Sequence, residues 1–480
     1  MPLLPIASSK PAKPAILLEG LLVFAIVLLV YLLLRRPGFY EVDGQSLVHW
    51  LAVGKGNHDR HMLFLPVARL LAAPLLASGL TPFEALRAVS AIGMSLSVLL
   101  FWAAALRLGR IRTDRLLMAT AIAVSPALLF FATIVEFHGL FMAFAGLAWF
   151  FEACLERSRR SWPWAVSMGI STGLAALVHA TGQLLGPLLP LFYLARSRDR
   201  SLPLRPALRH AAQSLGCHVG VVLLIALWMR SSGTQGQEDY ILSFLTSLPP
   251  LAELFSDLWF EWFLAFLPVS LLCWCAFRDP ARRLQTLWLL VSVLGYVLMS
   301  WVLVPGMYER GAYLLPLVYP AARLALSVRL RWLWILMTLA GLFYGIHDLG
   351  TYPYSTGSAA WAGALHEFET EQPGFYLLGD RSEIDALLIH EPKLPYGLFE
   401  DTVTLVRQGK LDARTVTLLL SGIVTAEEKE GRTVYLDVAA RRLLELQDPR
   451  VVATRKALDA AFRMDLVERG GIRVWRLRVR

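Results

Sequence analysis

The sequence predicts a polytopic α-helical membrane protein with about eleven transmembrane helices, followed by a smaller soluble α/β domain. Three observations support this fold class: 56% of the 480 residues are hydrophobic, only 17% are charged, and the apolar residues occur in long blocks. A helix needs about 20 apolar residues to cross the hydrocarbon core of a bilayer. Because the blocks end near residue 350, we divide the chain into a membrane part, 1–350, and a soluble part, 351–480.

The first apolar block covers residues 15–34 and predicts an uncleaved membrane anchor. It is long enough to span a bilayer, it ends at Arg35 and Arg36, and no small-residue cleavage site follows it. Later blocks predict ten more crossings. They cover residues 86–106, 116–134, 140–151, 162–195 (a hairpin of two), 211–228, 259–277, 287–304, 314–328 and 332–346.

The basic residues of the membrane part are divided unequally between alternate loops. Seventeen arginines between Arg107 and Arg331 fall in loops on one side of the predicted spans, against eight Lys or Arg residues on the other. Because basic loops stay in the cytoplasm, we expect a cytoplasmic amino terminus and an extracytoplasmic soluble part. These short loops account for the net charge of +9, so nucleic acid is not a predicted partner.

The soluble part contains short strand-like and helix-like segments, which predict a small α/β domain. Strands are predicted at residues 375–378, 416–420, 434–437 and 472–479, and helices at 383–390 and 452–462. The last of these strands alternates apolar and polar residues, as expected of a half-exposed strand.

Polar and ionisable residues collect in the loops that we expect on the extracytoplasmic side. Such groups next to a bilayer are energetically costly, and proteins keep them for a partner or a function. Their convergence at one face therefore predicts a site there. The set comprises Asp43, His58, Asp59, His61, Glu136, His138, His179, Gln183, Tyr308, Glu309 and Arg310.

Asp43 is the candidate catalytic carboxylate. A carboxylate in a loop beside the membrane can accept the proton of an attacking hydroxyl group and so act as a general base. Aspartate is also a favoured N-cap residue, and a helix beginning near Gln45 would explain Asp43 equally well. The sequence leaves both interpretations open.

Arg310 and Arg87 are the candidate phosphate ligands, and we assign Tyr308 to the same site. A guanidinium presents a planar fork of N–H donors that suits a phosphate and stabilises charge on a leaving oxygen. For Arg310 the alternatives are a local pair with Glu309 or contact with the membrane interface. For Arg87 the alternative is a helical pair with Glu84.

The remaining candidates are predicted substrate contacts, and several have simpler interpretations. The spacing of His58 and His61 suggests a metal site, but the metalloprotease signature H-E-x-x-H needs a helix. Here Gly56 and Asn57 precede His58, so a solvated loop is favoured. Glu136 and His138 would diverge on a helix, so both can face one site only from an extended or turning segment. His179 follows an apolar run, and a histidine in that position is more often a buried core residue than a ligand-binding residue. The predicted substrate contacts are His58, His61, Glu136, His138, His179 and Gln183.

Five segments of the membrane part occur in an order that resembles one known family. They are HMLFLPVARLL at 61–71, RAVSAIG at 87–93, IVEFHGLFMAFAGLAWFF at 134–151, HATGQLLGPLLPL at 179–191 and ERGAYLLPL at 309–317. Together with the first span and the acidic loop around Asp43, they resemble the GT-C superfamily of polyprenyl-phosphate-dependent glycosyltransferases. The likeness is greatest to the protein O-mannosyltransferase-like group, glycosyltransferase family 39, and covers roughly the first 350 residues.

The resemblance implies a GT-C-like membrane domain that moves a hexose or pentose from a polyprenyl phosphate to an acceptor hydroxyl, with inversion. Asp43 then takes the place of the catalytic acid, Arg87 and Arg310 bind the lipid phosphate, and Glu136 and His138 contact the sugar or acceptor. The implied partners are the polyprenyl-phosphate sugar lipid, a protein, lipid or glycan acceptor, and the bilayer, which we expect to be a bacterial inner membrane. No organic cofactor is implied, and a divalent metal is left open.

Two other classes of function remain open. A transporter or flippase for a glycolipid favours inverted repeats and polar residues in the middle of the membrane. Here no repeat is visible and the polar residues lie at the ends of the spans, so this class ranks second. A non-catalytic sensor or scaffold would tolerate replacement of the outer acidic residues and of Arg310.

Overall fold

The computed structural model describes residues 13–40, 42–54, 61–158, 161–201, 203–231, 251–303 and 308–480. The chain forms two compact units. The first, here called the membrane unit, comprises Met1–Arg36, Gly56–Ala73 and Leu86–Tyr352. The second, here called the α/β unit, comprises Pro37–Lys55, Pro74–Ala85 and Pro353–Arg480. The predicted division at residue 350 placed Pro37–Lys55 and Pro74–Ala85 in the membrane part. That division stays a prediction, because compactness alone does not define an independently folding domain.

Helices make up the described portion of the chain up to Thr351. In the first half they are α1 (Lys13–Leu33), α2 (Val42–Ala52), α3 (Phe64–Ala77), α4 (Pro82–Arg107), α5 (Arg112–Ala123), α6 (Pro126–Thr133), α7 (His138–Arg157), α8 (Trp162–Val178), α9 (Gly182–Asp199) and α10 (Leu204–Ser231). Then follow α11 (Leu251–Asp257), a π-helix (Leu258–Leu264), α12 (Val269–Leu272), two 3₁₀ helices (Cys273–Arg278 and Pro280–Arg282), α13 (Arg283–Leu303), a 3₁₀ helix (Ala312–Leu317), α14 (Val318–Ala325) and α15 (Arg331–Thr351).

Six helices of the described residues are long and apolar enough to cross a membrane, or up to eight spans if each of two bent pairs counts as one. One pair, Arg112–Ala123 with Pro126–Thr133, is bent by 61°, and the other, Ala252–Leu264 with Val269–Arg278, by 111°. The other three predicted crossings correspond to α8, α9 and α14, which are shorter or end in charged residues. The protein is an integral membrane protein, and the number eleven stays a prediction.

Two glycines allow α4 and α7 to touch through their backbones. A Cβ atom on Gly93 would lie 2.5 Å from the carbonyl oxygen of Gly139, and one on Gly139 would lie 2.4 Å from the carbonyl oxygen of Ser90. Small residues are what permit such close approach between membrane helices. This contact fixes the first turn of α7, which begins at His138.

Buried ion pairs connect the other end of α7 to two further helices. Arg323 on α14 contacts Glu152 at 3.1 Å and Glu156 at 2.9 Å, and Arg196 on α9 contacts Glu152 and lies 2.8 Å from Glu156. Glu152, Arg196 and Arg323 are all buried. Charged groups inside a membrane protein pair with one another in this way because the surroundings cannot solvate them.

The α/β unit contains a five-stranded mixed sheet. Its strands are β1 (Gly374–Leu378), β2 (Tyr396–Leu398), β3 (Thr433–Asp437), β4 (Phe462–Arg469) and β5 (Ile472–Val479). They lie in the order β2-β1-β3-β5-β4, with β1 parallel to both neighbours and β5 antiparallel to β3 and β4. Besides α2, its helices are α16 (Ala359–Glu371), α17 (Arg381–His390), α18 (Phe399–Arg407), α19 (Ala413–Lys429), α20 (Val438–Leu443) and α21 (Pro449–Ala461).

One predicted strand of this unit is wrong. Residues 416–420 lie inside α19, whose N-cap Asp412 accepts a hydrogen bond from the backbone N–H of Thr415. The buried residues Val416, Leu420 and Val424 recur every four positions, which is the spacing of one helix face and not of a strand. The other three predicted strands and both predicted helices are confirmed, and β2 and β4 were not predicted.

Candidate functional site

Asp43 lies in the first turn of α2 with its side chain exposed. The helix begins at Val42, so Asp43 lies inside the first turn and not at the N-cap. In the first turn a carboxylate interacts favourably with the positive end of the helix dipole. Within the α/β unit, Gln45 donates a hydrogen bond to Asp385 on α17. His49 packs edge-on against Tyr396 with ring centroids 5.2 Å apart. The helix that carries Asp43 is therefore held by contacts that do not use Asp43 itself.

The anchor of α2, Asp385, is buried and accepts hydrogen bonds from both Gln45 and Ser355. Burial raises the pKa of the Asp385 carboxyl, and the two hydrogen bonds act in the opposite direction. A backbone bridge joins Phe39 to Ser355 in the same region, and the N–H of Phe39 donates to the carbonyl of Ser355 at 2.9 Å.

Arg310 lies in the membrane unit with its guanidinium enclosed by aromatic rings. The guanidinium carbon is 4.7 Å from the ring centroids of both Phe130 and Tyr352 and 5.4 Å from that of Tyr308. Its Nη1 atom forms an ion pair with Asp348 on α15. The sequence suggested a local pair with Glu309, whereas this ion pair joins residues that are distant in the chain. The ion pair and the surrounding rings together hold the cation.

Three imidazoles form a buried cluster in the same unit. The rings of His61 and His179 are stacked, with centroids 4.7 Å apart and planes 9° apart, and the His138 ring lies 4.6 Å from that of His179. His61 precedes α3, His138 begins α7 and His179 follows α8. The backbone N–H of Leu63 donates to the carbonyl of Leu177 at 3.0 Å, which holds the first segment beside the end of α8.

Glu136 lies beside this imidazole cluster. Its Oε2 atom is 3.7 Å from Nδ1 of His138 and accepts a hydrogen bond from the N–H of Phe137 at 3.3 Å. Ser90 on α4 donates to the carbonyl of Glu136 at 3.2 Å. The backbone turns here between α6 and α7, with Ile134 extended. This is the turning segment that allows Glu136 and His138 to face the same side.

The three imidazoles differ in their hydrogen bonds. His179 Nδ1 lies 2.7 Å from the hydroxyl of Thr181, so part of its polarity is satisfied locally. His138 is buried, and neither of its ring nitrogens forms a hydrogen bond to another residue that the structure describes. Because buried polar atoms without such partners are rare in folded proteins, they require an explanation.

Arg310 and the imidazole cluster adjoin each other along α6. Phe130 lies beneath Arg310, and the next residue, Phe131, has its ring 4.3 Å from that of His138. On the other side, Tyr313 in the chain just after Arg310 lies 6.0 Å from His179, centroid to centroid. The structure therefore gathers Arg310 and its neighbour Tyr308 beside the cluster in one region of the membrane unit.

Arg87 is buried and donates from Nη1 to the carbonyl of Arg36. The N–H of Arg36 in turn donates to the carbonyl of Thr133 at the end of α6, at 3.1 Å. Glu84, which the sequence offered as an alternative partner of Arg87, accepts hydrogen bonds from the N–H and the hydroxyl of Thr81. Arg87 thus contributes to the packing around the end of α1, and its role as a phosphate ligand stays a prediction.

The other predicted contacts lie at the edges of this region or beyond it. Gln183 is exposed in the first turn of α9, and His58 lies outside the described residues. Tyr308 is 37% exposed and borders an open cavity of about 530 Å³. The residues lining this cavity are Glu253, Ser256, Asp257, Phe260, Trp301, Tyr308 and Tyr344.

No group of three or more His, Cys, Asp or Glu residues within the described ranges is arranged to hold a metal ion. In the imidazole cluster, parallel stacking of His61 on His179 keeps the two ring planes apart, so their nitrogens do not converge on one point. The residues next to His58, including Asp59, lie outside the part of the chain that the structure describes.

Sequence reasoning missed two acidic residues beside Arg310. Asp348 forms its ion pair, and Glu261 accepts hydrogen bonds from the backbone N–H groups of Glu309 and Gly311. A signal for Glu261 was present: it is a carboxylate inside the apolar block at 259–277, and ionisable residues in such blocks are functional candidates. Asp348 lies 38 residues beyond Arg310, and nothing in the sequence indicates that pair.

Comparison with known proteins identifies the fold through structure alone, because no family model and no curated protein matches the chain. The structure is similar to ArnT from Cupriavidus metallidurans bound to undecaprenyl phosphate, with a TM-score of 0.59 and 13% identity over 97% of this chain and 98% of that one. It is also similar to the oligosaccharyltransferase of Archaeoglobus fulgidus in complex with Zn and sulfate. For that match the TM-score is 0.53, with 12% identity over 94% of this chain and 72% of that one.

These matches confirm the predicted GT-C-like fold, which both similar proteins have. At this level of sequence identity the likeness establishes the fold and carries no statement about activity. The match extends over almost the whole chain, so it includes the carboxyl-terminal part with its small sheet.

Proposed function

We propose that this protein is a membrane glycosyltransferase that moves a sugar from a polyprenyl-phosphate donor to an acceptor hydroxyl, with inversion. The observation that carries the proposal is the fold shared with ArnT, which binds undecaprenyl phosphate, over 97% of the chain. The second similar structure is an oligosaccharyltransferase, which supports the same general reaction. Arg310, held at the edge of a cluster of polar residues, supplies the local chemistry that such a donor needs.

In this proposal Arg310 binds the phosphate of the lipid donor. A guanidinium carries five N–H donors, and the ion pair with Asp348 uses the Nη1 group. The rings of Phe130 and Tyr352 lie against its faces, so little conformational entropy is lost when a phosphate binds. Such a fixed donor stabilises the charge that develops on the leaving oxygen. Arg87 and Tyr308 are proposed as further phosphate ligands.

Asp43 is the proposed general base. The acceptor oxygen attacks the anomeric carbon from the face opposite the phosphate and forms the new C–O bond while the bond to the phosphate oxygen breaks. The hydroxyl proton passes to the Asp43 carboxylate, and the polyprenyl phosphate leaves with the bonding electron pair. One displacement inverts the anomeric centre. The exposed position of Asp43 in the first turn of α2 supports this role, because the carboxylate is accessible to a substrate.

The imidazole cluster is proposed to contact the sugar or the acceptor. Neutral imidazoles both donate and accept hydrogen bonds, as do sugar hydroxyls, so the two are chemically complementary. His138, with no hydrogen bond in the described structure, is the strongest candidate. We assign His61, Glu136 and His179 to the same contacts. Gln183 and His58 are further candidates.

We place the protein in a bacterial inner membrane, with a cytoplasmic amino terminus and an extracytoplasmic α/β unit. The unequal distribution of basic residues between alternate loops supports this orientation. The transferred group is proposed to be a hexose, as in mannosyltransferase-like enzymes, or a pentose. The acceptor is a protein, a lipid or a glycan.

Turnover in detergent tests the proposal. Purified full-length protein is mixed with undecaprenyl-phosphate-linked hexoses and pentoses and a panel of hydroxyl acceptors, and free undecaprenyl phosphate is measured. A glycosyltransferase releases it without any membrane compartment. If no donor is consumed in detergent but a labelled glycolipid crosses the bilayer of reconstituted vesicles, the flippase alternative holds and the proposal is wrong.

A further inference from the structure

The turn that carries Arg310 has an unusual backbone. Arg310 has φ of 55° and Gly311 has φ of 79°, so two successive residues lie in the left-handed region. Glycine adopts this region freely, whereas for another residue it costs about 1–2 kcal/mol. Strained residues persist where surrounding contacts over-determine them, and they cluster at functional sites. Some contact must therefore hold Arg310 in this conformation.

Glu261 makes that contact. Its carboxylate accepts hydrogen bonds from the backbone N–H groups of Glu309 and Gly311, one on each oxygen, and it also interacts with the N–H of Arg310. Glu261 is only 2% exposed, so the carboxylate and these N–H groups satisfy each other away from solvent. Successive N–H groups in such a turn form a concave anion site, and here the side chain of Glu261 occupies it.

Close packing holds the same turn against the residues that follow Glu261. A Cβ atom on Gly311 would lie 2.7 Å from the ring of Phe266 and 2.8 Å from the side chain of Ala265. Glu261 lies in the π-helix Leu258–Leu264, and π-helical segments are rare and often mark functional sites. The position of the turn thus depends both on a glycine and on a carboxylate from a distant part of the chain.

We propose that Glu261 is a positioning residue for the donor phosphate, acting through Arg310. By binding the backbone of the turn, its carboxylate keeps Arg310 left-handed and so directs the guanidinium between Phe130 and Tyr352. It also fills the backbone anion site, which leaves the guanidinium as the group in this turn that binds the phosphate. The inference rests on the proposed function, since it names a further residue of the same site.

The chemistry of the carboxylate predicts what each substitution does. In Glu261→Gln the amide keeps one acceptor oxygen, but its NH₂ group faces a backbone N–H, and two donors cannot form a hydrogen bond. Glu261→Asp keeps both acceptor oxygens on a side chain that is shorter by one methylene. The first variant should release the turn, and the second should hold it partly.

The experiment is a double-mutant cycle of Glu261→Gln with Arg310→Lys in the full-length protein. The measurements are the Kd for undecaprenyl phosphate, the KM and kcat with the sugar-linked donor, and the unfolding temperature. We expect Glu261→Gln to raise Kd and KM at least tenfold with a smaller change in kcat, and Glu261→Asp to have an intermediate effect. In the Arg310→Lys background, the Gln substitution should raise Kd less than twofold further.

Glu152→Gln is the matched control, because Glu152 is a buried carboxylate of the same unit that binds arginines away from Arg310. It should lower the unfolding temperature and leave Kd unchanged. The inference is overturned if Glu261→Gln leaves Kd within twofold of wild type, or if its effect on Kd is as large in the Arg310→Lys background. If the Gln variant does not fold, the same cycle and the same criteria apply to Glu261→Asp.

The Kd cycle does not require turnover, so it separates this inference from the proposed function. Coupling between Glu261 and Arg310 in lipid-phosphate binding, without any sugar transfer, would support the inference and count against the transfer reaction. Transfer by wild type without such coupling would support the reaction and remove Glu261 from the site.

Discussion

The guanidinium of Arg310 lies over the ring of Phe130, with 4.7 Å between the guanidinium carbon and the ring centroid. The next residue of the same helix, Phe131, packs against His138 at 4.3 Å. One short helix, α6, therefore contacts both the candidate phosphate ligand and the imidazole cluster. Changes on either side of α6 should therefore affect donor binding and substrate contacts differently.

Arg310→Lys should weaken donor use. A lysine keeps the charge but loses the planar fork and the stacking on Phe130 and Tyr352. We expect kcat/KM for the sugar-linked donor to fall by about 10²-fold, the scale of removing one donor to a developing oxyanion. Arg205→Lys, an exposed arginine in the first turn of α10, should retain wild-type kcat/KM. An Arg310→Lys enzyme within twofold of wild type would remove Arg310 from donor binding.

His138→Phe should increase stability and decrease activity. The imidazole is buried with no hydrogen bond among the described residues, and such a group costs about 1–3 kcal/mol. Phenylalanine removes this cost, so the unfolding temperature should rise while kcat/KM falls at least tenfold.

His210→Phe provides the contrast for His138. His210 Nε2 forms a hydrogen bond with the hydroxyl of Ser161 at 2.7 Å, and its Nδ1 lies 3.3 Å from the hydroxyl of Tyr193. Its replacement should lower the unfolding temperature and leave activity unchanged. Full activity of His138→Phe would make His138 a packing residue.

Gly139→Ala should separate α7 from α4. The added methyl group would lie 2.4 Å from the carbonyl oxygen of Ser90, and overpacking of this kind costs about 1–3 kcal/mol. Ser90 also donates a hydrogen bond to the carbonyl of Glu136, which is a proposed substrate contact. Activity should therefore fall together with the unfolding temperature. Gly216→Ala on α10, where a Cβ meets no atom within 4 Å, should be neutral or stabilising. Equal unfolding temperatures of Gly139→Ala and Gly216→Ala would refute the close contact between α4 and α7.

Glu383→Gln should alter the pH dependence of the α/β unit. Burial and the facing Asp437, with Asp380 nearby, raise the pKa of Glu383 to about 10. The folded unit therefore holds a proton that the unfolded chain releases above its own pKa near 4.5. This contribution to stability is full below about pH 4.5 and is lost as the pH rises toward 10.

The measurement for Glu383 is hydrogen exchange of β1 and β3 in the full-length protein at pH 6 and pH 9, corrected for intrinsic rates. Wild type should be less protected at pH 9, because Glu383 stays protonated in the folded unit but ionises when the unit opens, so opening becomes easier as the pH rises. Asp437, which faces Glu383, accepts hydrogen bonds from Gly379 and Ala440. The Gln variant, which cannot ionise, should keep its protection. Equal loss of protection in both proteins would contradict the raised pKa of Glu383.

The sequence predicted the fold well where one physical signal dominates. Apolar blocks located the long helices, and alternation located β5. Residues 416–420 were misassigned because a run of β-branched and leucine residues suits both structures, and the cap at Asp412 decides for a helix. The bend of 111° between Ala252–Leu264 and Val269–Arg278 has no counterpart in hydropathy, so a continuous span was predicted there.

The site was less predictable because its geometry depends on contacts distant in sequence. His61, Glu136, His138 and His179 were all named from their loops, but stacking of His61 on His179 follows from helix packing. Arg310 forms an ion pair with Asp348, which the sequence did not suggest. Propensity rules describe neighbours along the chain, and such pairs are set by the tertiary structure.

Turnover by Asp43→Asn tests the central claim most directly. Asparagine keeps the size of the side chain but cannot accept the acceptor proton, and Asp43 is exposed, so folding should be unaffected. Asp401→Asn, another well-exposed carboxylate of the α/β unit, is the control. We predict that Asp43→Asn lowers kcat by at least about 10²-fold while the Kd for undecaprenyl phosphate and the unfolding temperature match wild type. Wild-type turnover in the Asn variant would contradict the account.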